Sequence, residues 1–436
     1  MKYRLRSVVI RLLALLLRSL VAPARPEIRR ILVIKPDHLG DVLLLTPALS
    51  ALPHEFPHAH ISVLIGPWSK RLLLGNPDLD ALLLCAFPGF VRGQLSSFWQ
   101  PYRTLLRYAA LLRAGRYDAV LLVRDDHWWG GLLALAAGIN QRLGYAHPLV
   151  QPTLTTALPW DATAHVTTQA LGLVAALAGS GDQGSGIGDR ENRNQESGSR
   201  NQESGRDSVP LAAPAQPENL YGAFRRASRP PTTCFYPTPA EHAWAEAWLA
   251  MHSAERPLLA IQPGSGGAAK LWPAANWATV AHILADYATV VLTGGTADAA
   301  DVQAISALLD VQHHTLVGAA SLGELAALFG RCALVLGVDN GPLHLAVSQN
   351  TPTIHLFGPG DHGRFGPWGA ADRHVVLRSG LWCSPCGVLS HCPRKTSPSE
   401  CMTTLDPTWV ISEARRLLAS TSKGVRDRGS GSGIAD

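Results

Sequence analysis

Residues suited to binding an anionic sugar derivative stand close together in the stretch LGVDNGPLHLA. Asp339 ends an apolar run and can accept hydrogen bonds from ligand hydroxyls. Pro342 fits the first position of a helix, so the free N–H groups from Gly341 onward would favour an anion, and His344 in the first turn can add a donor. The pattern predicts a site for a sugar joined to a diphosphate. Alternatively, Asp339 or Asn340 only caps the helix and His344 is a core histidine.

A second stretch, LLAIQPGSGGAAKLWP, also carries an apolar run into a glycine-rich loop. Ser265, Gly266 and their glycine neighbours can expose backbone N–H groups, and Lys270 supplies a cation within reach. Such a loop is typical of a phosphate site, but it lacks the GxxxxGK[ST] pattern of P-loop NTPases, which argues against that class of protein. Alternatively, Lys270 is a solvated loop lysine.

A third stretch, RILVIKPDHLGDVLLLTPALSAL, places a carboxylate after a predicted strand. Asp41 follows Gly40 in the loop, where its carboxylate could remove a proton from an acceptor hydroxyl. Alternatively, Asp41 only caps a helix. Thr46 and Pro47 mark either a kink or the true start of the helix that follows.

Short apolar runs alternate with helical patterns in both halves of the chain. The first half has the predicted strands RILVIKP, HISVLIG and YDAVLLV, and the second half has PLLAIQPG, ATVVLTGG, HHTLVG, ALVLGVD and TPTIHLFG. Continuous apolar strands separated by helices indicate α/β bodies, each with a parallel sheet covered on both faces. Two such bodies would leave a ligand cleft at the carboxyl ends of their strands.

One segment between these bodies has almost no apolar residue and repeats NQESG twice, so it cannot offset its ordering entropy by burial. The sequence therefore predicts five parts. They are a basic amphipathic segment (1–27), an N-terminal domain (28–178), a disordered insert and linker (179–231), a C-terminal domain whose last helix could pack back on the N-terminal domain (232–419), and a disordered tail (420–436).

Composition indicates a globular protein, because 47% of the 436 residues are hydrophobic and 16% are charged. The net charge is +5, but residues 1–30 alone carry +7, from eight basic side chains and Glu27. The rest of the chain is therefore slightly acidic, at about −2. This distribution argues against nucleic acid as a partner.

Basic residues recur every seven positions near the amino end, at Arg4, Arg11, Arg18 and Arg25. They interrupt the apolar run too often for a membrane span or a signal peptide, although the sequence APA resembles a cleavage site. A helix with this stripe would lie in the interface of an anionic membrane. Alternatively, it packs on the protein itself.

Four cysteines cluster in CSPCGVLSHCPRKTSPSEC, with the spacing C-x2-C-x5-C-x8-C. Cys383, Cys386, Cys392 and Cys401 could bind a structural zinc ion through four sulfurs. An iron–sulfur cluster would use the same donors, and the spacing is not that of a standard zinc finger. Alternatively, the loop is reduced or disulfide-bonded.

The three stretches also carry a resemblance to a known family. LGDVLLLTPAL, QPGSGGAAKLWP and VDNGPLHLA, followed by TPTIHLFGP and GPWG, resemble the lipopolysaccharide heptosyltransferases, glycosyltransferase family 9. The resemblance spans roughly residues 30–415. It implies a GT-B fold, in which two Rossmann-like, doubly wound domains face a central cleft. It also implies inverting transfer of heptose from ADP-L-glycero-D-manno-heptose to the inner core of lipopolysaccharide.

The resemblance further implies a role for each motif residue. Asp41 matches the general base, and Lys270 matches the residue that pairs with the leaving diphosphate. Asp339 matches a residue that binds donor hydroxyls, and Glu324 matches a position associated with the nucleoside. The remaining matches are donor-phosphate contacts at Ser265, Gly266, Asn340, Gly341 and His344. No cofactor is implied for catalysis.

These expectations place the protein in the cytoplasm, bound peripherally to the inner face of the cytoplasmic membrane. Its partners would be ADP-heptose, a lipid-linked lipopolysaccharide core acceptor and the membrane surface, which the N-terminal helix would contact. Three alternatives stay open. They are a GT-B enzyme that uses another nucleotide sugar, a nucleotide-sugar epimerase, and a non-catalytic sugar-nucleotide-binding protein.

Overall fold

A computed structural model gives the architecture. It describes residues 2–17, 19, 21, 23, 27–91, 99–181, 232–252 and 256–429. The insert predicted over 179–231 lies outside the described residues from 182 onward, and so does the predicted tail from 430 onward.

The N-terminal domain is built on a six-stranded parallel sheet with the order β3-β2-β1-β4-β5-β6. Its strands are β1 (Arg30–Lys35), β2 (His60–Ile65), β3 (Ala81–Leu84), β4 (Ala119–Leu122), β5 (Gln141–Tyr145) and β6 (Thr156–Leu158). Its helices are α1 (Lys2–Leu17), α2 (Leu39–Leu43), α3 (Thr46–Glu55), α4 (Lys70–Leu73), α5 (Gln100–Ala114), α6 (Trp128–Ala136) and α7 (Val166–Gly181).

Both faces of this sheet are buried, as the continuous apolar strands predict. Along β1, Ile31 and Val33 point to α2, α3 and α7, whereas Leu32 and Ile34 point to α5 and α6. Side chains alternate between the faces because the period of a strand is two residues. Pro47 lies in the first turn of α3, so it marks the start of a helix.

The C-terminal domain repeats this plan with the order β12-β11-β10-β7-β8-β9, again all parallel. Its strands are β7 (Leu258–Gln262), β8 (Thr289–Gly294), β9 (His313–Val317), β10 (Cys332–Val338), β11 (Thr353–Phe357) and β12 (His374–Arg378). Its helices are α8 (Pro239–Met251), α9 (Ala274–Leu284), α10 (Ala299–Ser306), α11 (Leu322–Phe329), α12 (Gly341–Ser348), α13 (His362–Phe365), α14 (Glu400–Thr403) and α15 (Pro407–Gly429).

The predicted α/β class with two parallel sheets is confirmed, but one predicted placement is wrong. The last helix, α15, packs on its own domain and not on the N-terminal domain, because Val410, Ala414 and Leu417 join the apolar cluster of α9 and β10. This helix also continues to Gly429, past the boundary predicted after residue 419. The apolar face of α15 is buried in the core of the C-terminal domain, and this burial explains why the helix does not pack on the N-terminal domain.

The two domains share one continuous apolar cluster. Helices α2, α3 and α7 contribute to it from one side, and α8, α11 and α12 contribute from the other. Helices α2 and α12 also meet between the domains, where a Cβ on Gly341 would lie 2.4 Å from Leu39 Cδ2 and 3.3 Å from the backbone nitrogen of Gly40. A side chain at this position would require Leu39 and the backbone of Gly40 to shift.

Residues 232–238, which precede α8, are bound to both domains. The N–H of Cys234 donates to Thr46 Oγ1 at 2.9 Å, and Nε2 of Gln349, the residue after α12, donates to the carbonyl of Phe235 at 2.9 Å. Arg71 of α4 stacks on the Phe235 ring and pairs with Glu241 of α8. We call residues 232–238 the linker.

Helix α1 packs against α6, so α6 is enclosed between α1 and the sheet. Ile10 and Ala14 are buried at this contact, and residues 129–136 of α6 are all buried. The alternative interpretation of the N-terminal segment, a helix packed on the protein, therefore holds for one face. Of the helices that the structure describes, none combines the length and the apolar character that a membrane crossing needs.

Gly337 allows α12 to lie directly on the sheet, because a Cβ there would come within 2.5 Å of the carbonyl oxygen of Gln262 and 2.3 Å of Leu343 Cδ1. We expect Gly337→Ala to lower the free energy of unfolding by about 1–3 kcal/mol, the usual cost of overpacking. Urea unfolding measures this, with Gly179→Ala as the control, since a Cβ at Gly179 meets no atom within 4 Å. Equal stability of the two variants would contradict the packing argument.

Candidate functional site

The candidate site lies where both sheets reverse their strand order. In the C-terminal sheet the reversal falls between β7 and β10. The glycine-rich loop follows β7 and Asp339 follows β10, so the two loops meet at the carboxyl edge of the sheet. Ligands of open α/β sheets bind at such points.

Lys270 and Asp339 form an ion pair at this edge. Lys270 Nζ lies 3.2 Å from Asp339 Oδ2, and only 13% and 15% of the two side chains are exposed. Burial raises the pKa of Asp339, and the ammonium group of Lys270 opposes that rise. The backbone also encloses the carboxylate, because a Cβ on Gly360 would lie 2.6 Å from Asp339 Oδ2. The interpretation of Lys270 as a solvated lysine does not fit this geometry.

The glycine-rich loop keeps an open side toward the cleft. Ser265 Oγ lies 3.4 Å from the carbonyl oxygen of Asp339 and accepts from the N–H of Gly267 at 3.4 Å. A Cβ on Gly266 would meet no atom within 4 Å, so this residue borders open space. Ser265 and Gly266 therefore lie beside the ion pair, as predicted.

Asn340 caps α12 and joins the two loops. Its Oδ1 accepts from the N–H of Leu343 at 3.0 Å, while its Nδ2 donates to the carbonyl of Gly264 at 2.8 Å. The capping interpretation is therefore correct for Asn340, whereas Asp339 is not the cap. Asn340 supports the site by fixing one loop to the other.

His344 lies under the contact between the domains. It is 3% exposed, and its Nδ1 has no hydrogen-bond partner. Burial, together with the nearby charge of Lys270, lowers the pKa of His344 to about 4, so the ring is neutral at pH 7. A Cβ on Gly40 would lie 3.2 Å from the ring. His344 is thus a buried histidine, but one with an unused polar atom.

Asp41 lies on α2, opposite the C-terminal loops. The structure places it in a short helix, whereas the sequence predicted a loop. Burial raises its pKa above the ordinary value, and the negative charges of Asp37 and Asp339 add to the rise, while Lys35 and Arg124 oppose it. A carboxylate with a raised pKa is a stronger base than an ordinary aspartate. Asp41 does not act as a helix cap, since the cap position of α2 is His38.

A group of charged residues beside Asp41 was not predicted. Asp37, which is 3% exposed, pairs with Lys35 Nζ at 3.1 Å and with Arg124. Arg124 also pairs with Asp126 at 2.5 Å. Burial opposes ionisation of Asp37, but the two cations outweigh it and lower its pKa. These residues hold fixed charges next to the candidate base.

The order of the strands explains this group. The N-terminal sheet reverses between β1 and β4, so the residues after β4 adjoin those after β1. The signal in the sequence is RDDHWW directly after the predicted strand YDAVLLV. His127 of that run is 5% exposed with no hydrogen-bond partner for either ring nitrogen, and burial lowers its pKa to about 4.

Glu324 has a local role in the structure. Its Oε2 accepts from the N–H of Ser321 at 2.7 Å, and its own N–H donates to Ser321 Oγ at 3.3 Å. This reciprocal pair is a capping box at the start of α11. The association of Glu324 with a nucleoside stays a prediction.

The four clustered cysteines line one cavity of about 60 Å³. Burial and the three other thiols raise the pKa of Cys401 to about 11. Among the described residues, no three His, Cys, Asp or Glu side chains already stand in metal-ligating positions. The donor set, four thiols around one cavity, nevertheless matches a sulfur-ligated metal.

Comparison with known proteins agrees with this geometry. The profile of Glycosyltransferase family 9 (heptosyltransferase) matches residues 231–395. Lipopolysaccharide heptosyltransferase 2 of Escherichia coli K12 is 33% identical over 342 residues, which cover 76% of this chain and 83% of that protein. Lipopolysaccharide heptosyltransferase 3 of Escherichia coli is 26% identical over 338 residues, with 76% and 83% covered.

Solved structures show the same fold. A glycosyl transferase of family 9 from Veillonella parvula has a TM-score of 0.67 at 22% identity, covering 90% of this chain and 98% of that one. The ADP-heptose heptosyltransferase II of Escherichia coli has a TM-score of 0.64 at 20% identity, with 90% and 99% covered. The predicted GT-B fold is confirmed. With a relative of one-third identity aligned over most of both sequences, this chain belongs to glycosyltransferase family 9, the lipopolysaccharide heptosyltransferases, and is a glycosyltransferase.

Proposed function

We propose that this glycosyltransferase moves heptose from ADP-L-glycero-D-manno-heptose to a hydroxyl group of the lipopolysaccharide inner core, with inversion at the anomeric carbon. The position of Asp41 carries the proposal. It lies across the domain contact from Lys270 and Asp339 and close enough for the charge of Asp339 to affect its pKa. A structural relative described as an ADP-heptose heptosyltransferase supports the choice of donor.

In this mechanism Asp41 takes the proton of the acceptor hydroxyl. The hydroxyl oxygen attacks the anomeric carbon as the bond between that carbon and the diphosphate oxygen breaks. The bonding electron pair leaves with ADP, and one displacement inverts the anomeric carbon. The raised pKa of Asp41 suits a general base, because it increases the driving force for proton transfer.

The C-terminal loops stabilise the leaving group. ADP gains negative charge in the transition state, and Lys270 with the N–H groups near Ser265 and Gly266 would face that charge. Asp339 accepts from hydroxyls of the donor sugar, and the nucleoside extends toward Glu324 at the start of α11. Because a side-chain cation and backbone dipoles supply this stabilisation, the proposal requires no catalytic metal.

The acceptor in this proposal is lipid-linked, so the enzyme works at the cytoplasmic face of the membrane. The outer face of α1 supplies a contact for the bilayer. Its large apolar side chains stay in solvent, with Leu12, Leu15 and Leu16 at 57%, 60% and 73% exposure, and Arg11 is exposed beside them. An apolar face with an adjacent cation is the pattern of an interfacial helix on anionic lipid.

Calorimetric binding tests the donor assignment. We expect the protein to bind a non-hydrolysable ADP-heptose analogue in preference to UDP-sugars. Lys270→Ala should weaken this binding by roughly 10- to 100-fold, because a charge-assisted hydrogen bond contributes about 1.5–3 kcal/mol. Arg256→Ala is the matched control, since it removes a cation at the amino end of β7, the opposite edge of the same sheet.

Preference for a UDP-sugar would overturn the donor assignment and favour another transferase or an epimerase. Binding of ADP-heptose without transfer to any core acceptor would favour the non-catalytic alternative.

Replacement of Asp41 should slow turnover strongly, and the wild-type rate should depend on the ionisation of Asp41. We expect Asp41→Asn to lower kcat by about 10²–10⁴-fold while ADP binding is retained. In the wild type, kcat/KM should fall as pH falls through the Asp41 pKa, which lies above the ordinary value of 3.8, because the protonated carboxyl cannot accept a proton. Steady-state rates across pH measure both effects, and wild-type turnover in Asp41→Asn would refute the assignment.

Membrane binding should depend on the outer face of α1. We expect Leu12→Glu with Leu16→Glu to reduce cosedimentation with phosphatidylglycerol vesicles by at least tenfold, since each buried leucine contributes about 1.5–3 kcal/mol. Leu308→Glu is the control, because Leu308 is 56% exposed in the C-terminal domain, close to the 57% of Leu12. Equal loss in both variants would contradict a specific contact through α1.

A further inference from the structure

The segment from residue 379 to residue 399 is the longest stretch of the described C-terminal domain without a helix or strand. We call it the cysteine loop, together with Cys401 in α14 that follows it. Irregular loops of this length inside a compact domain are uncommon unless they have a function. Two of its large apolar side chains are exposed, Trp382 at 85% and Leu389 at 40%. Hydrophobic packing alone is therefore a weak source of order for it.

The cysteine loop supports the candidate donor site directly. The carbonyl of Leu389 accepts from the N–H of Ala269 at 3.0 Å, next to Lys270. That same oxygen lies so close to Gly267 that a Cβ there would come within 2.6 Å of it. The glycine-rich loop is thus held from behind by the backbone of the cysteine loop.

A second pair of contacts reaches the loop after β11. The N–H of Gly387 donates to the carbonyl of Pro359 at 2.9 Å, and Ser384 Oγ donates to the carbonyl of Gly358 at 2.5 Å. This neighbouring loop also contains Gly360, which packs on the carboxylate of Asp339. Both sides of the Lys270–Asp339 pair therefore depend on where the cysteine loop lies.

The four cysteines of the loop border the same space. Cys383, Cys386, Cys392 and Cys401 line the same cavity of about 60 Å³, whose wall also includes Ala269 and Pro359 from the two supported loops. The other three cysteines, Cys85, Cys234 and Cys332, lie outside this cavity, and all seven are free thiols. Four sulfurs from one short segment around one small cavity are the donor set of a structural tetrahedral site.

A cation lies where a thiolate-rich site needs one. Arg394 Nη1 is 4.0 Å from Cys383 Sγ and pairs with Glu400 at 2.6 Å. A dication bound by four thiolates leaves a net charge of −2, and an adjacent guanidinium lowers the cost of that charge by donating to a ligand sulfur.

We propose that the cysteine loop binds one divalent transition-metal ion through the four thiolates. Zinc is the ion that this donor set favours. The bound metal fixes the backbone that supports the glycine-rich loop and the loop after β11. Binding replaces four S–H protons, which are released to solvent, by four metal–sulfur bonds, and no oxidation is involved. The thiols are not yet at ligand spacing in the described residues, so the cavity contracts when the metal binds. The metal orders the loop and takes no part in sugar transfer. Its effect on the donor rests on the proposed function, whereas metal binding itself does not.

The first test is metal content. Purified protein, either as isolated or after reconstitution with zinc under reducing conditions, should contain about one zinc per chain by plasma mass spectrometry. Cys386→Ser should reduce this to background. Because Cys386 is exposed, this substitution disturbs little packing, and circular dichroism checks that the variant folds. Cys234→Ala is the matched control that loses a thiol outside the cavity and keeps the metal.

Cobalt gives an independent readout of the ligands. The cobalt-substituted protein should show thiolate-to-metal charge-transfer bands and the intense visible bands of a tetrahedral ion, and Cys392→Ser should lose them. Arg394→Ala should weaken metal affinity by roughly 10- to 100-fold, the usual effect of removing an outer-shell partner. No bound metal in reduced, reconstituted protein, or metal retained by both serine variants, would overturn the site.

A final measurement separates this inference from the proposed function. Removal of the metal with a chelator should weaken binding of ADP and leave the rest of the protein folded. Unchanged ADP affinity after complete metal removal would overturn the inference that the metal supports the glycine-rich loop and the loop after β11. If metal binds at the four cysteines but neither form binds ADP, the donor assignment fails while the metal site stands.

Discussion

The arrangement of the cleft depends on one steric constraint, the contact of two backbones at Gly40 and Gly341. Each glycine lies at the amino end of a short helix, and each helix follows the strand at which its sheet reverses order. Because no side chain separates them, α2 and α12 bring their own neighbours together. Helix α2 thereby positions the carboxylate of Asp41 across from the Lys270–Asp339 pair, and Asn340 at the start of α12 joins the two loops that carry this pair.

Charge is distributed unevenly across that contact. On the N-terminal side two cations, Lys35 and Arg124, neutralise Asp37 and leave Asp41 without a direct ion-pair partner of its own among the described residues. On the C-terminal side Lys270 is matched by Asp339. Ion pairs of this kind are costly to bury and contribute little net stability. Their value here is that the charges are fixed in place before a ligand arrives, so that little reorganisation is needed during reaction.

The sequence predicts the central strands better than the edge strands, of which only β9 was predicted. Strands such as β1 and β10 are continuous apolar runs because both of their faces are covered, and that pattern is visible without a structure. Strands β3, β5, β6 and β12 were not predicted. β6 has only three residues and is partly exposed, and β5 contains Arg142, so pairing with a neighbour, not local pattern, makes them strands.

The same distinction applies to the site. Residues that follow a recognisable strand, such as Asp339 and Lys270, could be predicted to lie at the carboxyl edge of a sheet. The link between Asp37 and Arg124 could not, since it depends on β1 lying beside β4, which is a property of the strand order. The core-histidine alternative for His344 is correct about its burial, but the sequence does not show that Gly40 of the other domain lies against the ring.

The linker has a consequence for how this chain tolerates variation in length. Residues 232–238 are bound to α3 through Thr46, to α4 through Arg71 and to the end of α12 through Gln349, so the path between the domains is fixed after residue 231. For the disordered insert that the sequence predicts, a change in length alters only the entropy of closing the segment, because each doubling of a flexible loop costs only about 0.6 kcal/mol. Evolution can therefore lengthen or shorten this region freely, and the separation of the two halves of the cleft does not change with it.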